Sequence, residues 1–149
     1  MKLSESGQLK QYIAFEIDDE IYAVDVLFVE SIERMTQITR VPHSPPEVLG
    51  VINLRGDVMP VMSARRMLGY EEKTADDATR IAILRYDECR IGMIVDRVTE
   101  ILNIPQDEVL WGGEALDGKR KVVISGLINF GDKPVMIVDI PRTLEWLLN

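Results

Sequence analysis

The sequence predicts a mainly β protein built from two similar small β-barrel subdomains packed side by side, with short helices and a C-terminal helix. Three observations predict it. Short apolar runs rich in β-branched residues alternate with polar positions along most of the 149 residues. Gly, Asp and Pro punctuate these runs at turn spacing. The second half of the chain repeats the first at low fidelity and in the same order.

The elements follow from the N-terminus. Tyr12-Ile13-Ala14-Phe15-Glu16-Ile17 and Ile21-Tyr22-Ala23-Val24-Asp25-Val26 flank the acidic turn Asp18-Asp19-Glu20 and predict a hairpin. Val48 to Leu54 and Val58 to Met62 flank Arg55-Gly56-Asp57 and predict a second hairpin with a Gly-containing turn. Ser63 to Leu68 reads as a short helix stopped by Gly69. Residues 70–78 are mostly charged or small and read as a linker or exposed crossing segment. Strand patterns resume at Arg80 to Leu84, Ile91 to Val95, Val122 to Phe130 and Pro134 to Val138. Pro141 to Leu148 has Pro at a first helical position and helical apolar spacing, and predicts a terminal helix.

The repetition appears when the chain is laid on itself. A shift of 76 places Gly50-Val51-Ile52-Asn53 on Gly126-Leu127-Ile128-Asn129, Arg66 on Arg142 and Leu68 on Leu144. A shift of 68 places Ile13-Ala14 on Ile81-Ala82 and Asp19-Glu20 on Asp87-Glu88, and one residue more places Val29 and Ile32 on Val98 and Ile101. Such a degenerate duplication implies two β units, and closing each into a barrel removes edges that invite aggregation. Subdomain one is expected at about 12–70, with room for strand exchange from the termini. Subdomain two is expected at about 79–140, and the helix at 141–148, within one domain of 1–149. The extra length of the second unit falls near Trp111 to Lys121.

Composition narrows the function. With 46% hydrophobic residues the chain can build a core, and a net charge of −8 repels phosphate backbones, so nucleic acid is an improbable partner. No apolar run approaches the roughly 20 residues that span a bilayer, which argues against membrane insertion. The first residues lack a secretory layout, and the lone Cys89 fits a reducing cytoplasm.

Catalytic chemistry finds little support. His43 lies in Val41-Pro42-His43-Ser44-Pro45-Pro46 and reads as a turn histidine, without the second His or Cys spacing that zinc needs. No metal or cofactor is expected. The paired carboxylates, such as Asp18-Asp19-Glu20 and Asp76-Asp77, fall in predicted turns and read as solvated charge. Gly112-Gly113 lacks a phosphate-binding context, and the seven methionines read as core fillers. Arg55 is different. A guanidinium at the end of an apolar strand can offer a rigid fork to a partner, or be satisfied within the chain or by solvent.

The segment Gly50-Val51-Ile52-Asn53-Leu54-Arg55-Gly56-Asp57-Val58-Met59-Pro60-Val61 closely resembles the GVxNLRGxxxPV stretch of CheW-like domains. Phe15 through Ile32 resembles the family's opening strands, and Gly126 to Asp139 with the terminal helix resembles its close. The resemblance implies paired five-stranded barrels and a cytoplasmic chemotaxis adaptor without catalysis, recruited to membrane receptor arrays. It implies two partners: the cytoplasmic tip of methyl-accepting chemotaxis receptors and the regulatory domain of the histidine kinase CheA. In the family, receptor contacts centre on the groove between the barrels and on the Arg of NLRG. By motif these become Val29, Gly50, Asn53 and Arg55, whereas the kinase contact is assigned to no residue. Two departures stand out. Ser63-Ala64-Arg65 replaces the usual Asp-Leu-Arg, and Ser31 stands where an acidic residue is common. Ser63 can still cap a helix.

Two other readings compete. A CheW-like scaffold module could serve another two-component signalling array, although a length ending just after the terminal helix favours a free adaptor. A hydrolase or lyase in a small β barrel would use Asp or Glu with His43.

Overall fold

The computed structural model describes residues 8–112 and 122–147. Its strands are β1 (Leu9–Ile17), β2 (Glu20–Asp25), β3 (Val29–Arg34), β4 (Val48–Leu54), β5 (Asp57–Ser63), β6 (Arg80–Tyr86), β7 (Cys89–Val95), β8 (Arg97–Pro105), β9 (Leu110–Trp111), β10 (Ile124–Phe130) and β11 (Lys133–Val138). Helix α1 (Ala64–Leu68) follows β5, and α2 (Ile140–Leu147) follows β11. The expected Leu148 end of the helix and most of the Trp111–Lys121 insertion lie outside the described residues.

Local chemistry sets the turns. Leu54 pairs with Asp57, and the two residues between them, Arg55 (φ 51°) and Gly56 (φ 91°), both have positive φ. That backbone suits the right-handed twist of a tight hairpin. Ser63 caps α1, its Oγ accepting from Arg66 N at 3.3 Å, and Gly69 ends the helix in the left-handed conformation. Ser63 therefore supplies the cap that was expected of it.

The strands form two sheets. The central sheet has the order β3-β6-β7-β5-β4, and the terminal sheet has the order β8-β1-β2-β11-β10-β9. Their membership does not follow the division expected at 70–79. The hairpin β1–β2 leaves the first half to pair in parallel with β11, Ala23 opposite Ile137. The hairpin β6–β7 does the reverse, Gly92 opposite Val61. The exchange is reciprocal, so each barrel holds one hairpin from the other half.

Pairing also corrects the repeat. A single shift of 69 relates β1–β3 to β6–β8: Val29 faces Leu84 as Val98 faces Phe15, and Ile32 faces Ala82 as Ile101 faces Ile13. The shift of 68 read from Asp19-Glu20 and Asp87-Glu88 is one residue short, because the residues at positive φ are Asp18 and Asp87. The shift of 76 holds for the later hairpins.

Each sheet closes on itself in the same way. In the central barrel the chain beyond β3 crosses the edge strand β4, where Thr39 and Val51 exchange two backbone hydrogen bonds of 2.9 and 2.8 Å. In the terminal barrel β8 continues through a 3-10 turn (Gln106–Glu108) into β9, which pairs Leu110 with Leu127. The two-residue β9 is the sixth strand of that sheet, one more than the expected five. Gly50 and Gly126 lie at these crossings. A Cβ on Gly50 would strike the Thr39 carbonyl, and one on Gly126 would come within 2.7 Å of Val109 Cγ1. The repeated Gly-Val/Leu-Ile-Asn is thus a closure signature.

Among the described residues three apolar clusters form the core. Ile52, Met59, Val61, Ile81 and Ile83 fill the central barrel. Tyr12, Ala14, Ile104, Ile128 and Val135 are among those filling the terminal one. The largest cluster joins both, with Phe15, Tyr22 and Val138 packed against Met62, Met67, Leu84, Met93 and Leu144. Met59, Met62, Met67 and Met93 are buried core residues.

Arg65 staples the seam. Its guanidinium donates to Asp96 (Nε–Oδ1 and Nη2–Oδ2, both 2.9 Å), to Asp18 of the β1–β2 turn and to the Glu71 carbonyl at 2.6 Å. Its side chain is 10% exposed, and the ring of Tyr70 lies 5.9 Å away. One carboxylate of the acidic turn is therefore an ion-pair partner rather than solvated charge.

Candidate functional site

Gly50, Asn53 and Arg55 fall together on β4 and its turn. Asn53 Oδ1 accepts from Gly56 N at 2.9 Å and so holds the turn from below. Arg55 projects outward with a side chain 70% exposed, and its Nη2 donates to Glu33 Oε2 on β3 at 3.1 Å. Its conformation is costly. A non-Gly residue at φ 51° gives up about 1 kcal/mol relative to Gly. The corresponding turn in the terminal barrel, between Phe130 and Lys133, has Gly131 at that position with φ 67°.

Val29 lies elsewhere. It begins β3, on the opposite edge of the sheet order, faces Leu84 and packs against the joint core. Ser31 follows a bulge at Glu30 and faces Ile83. The acids on this strand that reach cations are Glu30 and Glu33.

Arg90, on β7, connects the two regions. Its Nε and Nη2 grip Glu30 at 3.0 and 2.5 Å, and its Nη1 donates to Asp57 Oδ2 at 3.1 Å. Glu30 adjoins Val29, and Asp57 directly follows the Arg55-Gly56 turn. Arg85 stands 3.8 Å from Glu30, and Glu30 and Asp57 raise the Arg90 pKa further above its ordinary value. Val58, which follows Asp57, is 65% exposed, and Leu27, in the turn before β3, is 78% exposed. Sequence reading missed Glu30, Glu33, Asp57 and Arg90, since nothing in their spacing reveals the register that joins them.

The seam itself is packed with side chains. Its outer margin is an open acidic depression lined by Asp18, Asp19, Asp76, Asp96, Lys73 and others, and none of the four predicted residues lines it. Asp96 titrates low there. Burial would raise its carboxyl, but hydrogen bonds from Arg65 and from Asp18 N–H, with the Arg65 charge, outweigh that and hold it below its ordinary value. His43 is exposed at positive φ in its Pro-rich turn, and Cys89 is half-buried. Among the described residues no three His, Cys, Asp or Glu side chains gather as metal ligands.

Two closed barrels, one with a charge-laced strand edge and a cationic hairpin tip, define a double β-barrel module. The family is specific: residues 11–147 match the model of the CheW-like domain, and the chain belongs to that family of chemotaxis scaffolds and adaptors. It is 32% identical over 136 residues to the chemotaxis protein CheW of Bacillus subtilis, covering 91% of this chain and 87% of the relative. It is 32% identical over 144 residues to CheW of Helicobacter pylori, covering 97% and 87%. The solved structure of the scaffolding protein TtCheW from Thermoanaerobacter tengcongensis superposes with a TM-score of 0.80 at 25% identity, covering 89% of this chain and 90% of that one.

Proposed function

We propose that this chain couples methyl-accepting chemoreceptors to the histidine kinase CheA by binding both, without catalysis of its own. The receptor's cytoplasmic tip meets the surface framed by Val29, Asn53 and Arg55, with Gly50 keeping β4 close to its crossing strand. The kinase regulatory domain takes other barrel faces. The work is done by tethering, which raises the local concentration of kinase beside receptor and lets a shift of population in one reach the other. Membership of a family of chemotaxis scaffolds supports a cytoplasmic protein brought to receptor arrays by its partners.

The observation that carries this reading is Arg55. A two-residue turn that accommodates Gly more cheaply, and has Gly131 in the sister barrel, keeps an exposed arginine instead. Strain retained at an exposed, chemically rich side chain points to recognition. The test is a pull-down of the chain with a receptor cytoplasmic fragment and the kinase regulatory domain, separately and together. Capture of both, and of the three together, is expected. Indifference to both would end the proposal.

A further inference from the structure

The network around Arg90 is particular to one barrel. Its three members, Glu30, Arg90 and Asp57, correspond through the repeat to Thr99, Ile21 and Lys133, which cannot form it. The terminal barrel nevertheless builds the same strand order and the same pairings. Barrel formation therefore does not require the network, and its placement calls for another explanation. Arg90 grips Glu30 through two nitrogens and reaches Asp57 with a third, so a single planar group spans β3, β7 and the start of β5. Those carboxylates flank the two predicted recognition elements, Val29 and the Arg55 turn. Without Arg90 they would repel, and Arg85 at 3.8 Å is the other cation paired with Glu30 among the described residues.

We propose that Arg90 is a positioning residue, which fixes the β3 edge at Val29 and the Arg55 hairpin in one relation so that a partner segment meets them as a single surface. The inference rests on receptor recognition at that surface. Exposed ion pairs add little to stability, so removing this one should leave the melt nearly unchanged.

The experiment has two arms on the full chain, using wild type, Glu30→Gln, Arg90→Gln and the double variant. In the first, amide resonances are compared without any partner. The Val29–Glu30 and Gly56–Asp57 amides should move in Arg90→Gln, while that of Ile128 in the terminal barrel stays still. In the second, each protein is titrated with a receptor cytoplasmic fragment. Arg90→Gln should bind roughly fivefold more weakly, and the double variant no worse than Arg90→Gln alone, since the two residues act as a unit. Losses that multiply would make Arg90 a direct contact and overturn the positioning role, as would unmoved amides or unchanged affinity. If wild type itself ignores the fragment, receptor recognition fails, and the amide arm still decides whether Arg90 holds the two elements together.

Discussion

At the scale of a residue, the proposed receptor contact Arg55 can be tested apart from the fold. Its guanidinium is largely exposed and its backbone is strained, so the fold gains little from it. Arg55→Gly should leave the melting temperature equal or higher while receptor binding falls by about 2 kcal/mol. A loss of stability comparable to the loss of binding would make Arg55 a structural residue. Arg65 is the opposite case. Removing it strands Asp96 at the seam, and Arg65→Ala should cost about 3 kcal/mol in urea denaturation. A change of under about 0.5 kcal/mol would contradict the staple. The same pair sets a pH dependence. The Asp96 carboxyl has a lower pKa folded than unfolded, so its contribution is complete above the unfolded value near 3.8 and is lost as pH falls through the folded one. Stability should therefore decline on acidification from about pH 5 downward, and Asp96→Asn should flatten part of that decline. An identical slope in the variant would remove Asp96 from the explanation.

At the scale of elements the closure crossings are the sensitive points. Gly50 and Gly126 let one strand pass tightly over another, and the obstacle at Gly50 is backbone. Backbone cannot rotate away as a side chain can. Gly50→Ala should therefore destabilise more than Gly126→Ala, where Val109 and Trp111 side chains can adjust. Equal losses on denaturation would show that the Thr39 crossing yields. Most elements were legible in the sequence because each depends on local pattern: β4 spans the predicted Val48–Leu54, and Ser63 and Gly69 bound α1 as expected. Which strands pair was not legible. The parallel contacts of β2 with β11 and of β7 with β5 join distant segments, and an apolar strand reads the same whatever its neighbour. The repeat offset failed for a related reason. Asp19-Glu20 matches Asp87-Glu88 by letters, but a one-residue slip exchanges the faces of a strand, and only the offset of 69 puts Ala14 with Ile83 inside their barrels and Phe15 with Leu84 in the joint core. Of the site, the Arg55 tip was visible as an anomalous charge. Its partner Glu33, and the Glu30–Arg90–Asp57 bridge, become visible only once register is known.

For the whole molecule, reciprocal hairpin exchange makes the two halves interdependent. Neither half contains a complete sheet, and the largest apolar cluster draws on both. Interdependence suits the proposed adaptor role, in which a seam shared by both barrels would keep the surfaces proposed for two partners in fixed relation. The central claim is that one rigid body engages a chemoreceptor through the Arg55 surface and the CheA regulatory domain through another. Sedimentation of the chain with a receptor cytoplasmic fragment and the kinase domain, for wild type and Arg55→Ala, tests it most directly. The expected result is a ternary complex with wild type and a kinase-only complex with the variant. Full ternary assembly by Arg55→Ala, or no association of wild type with either protein, would contradict it.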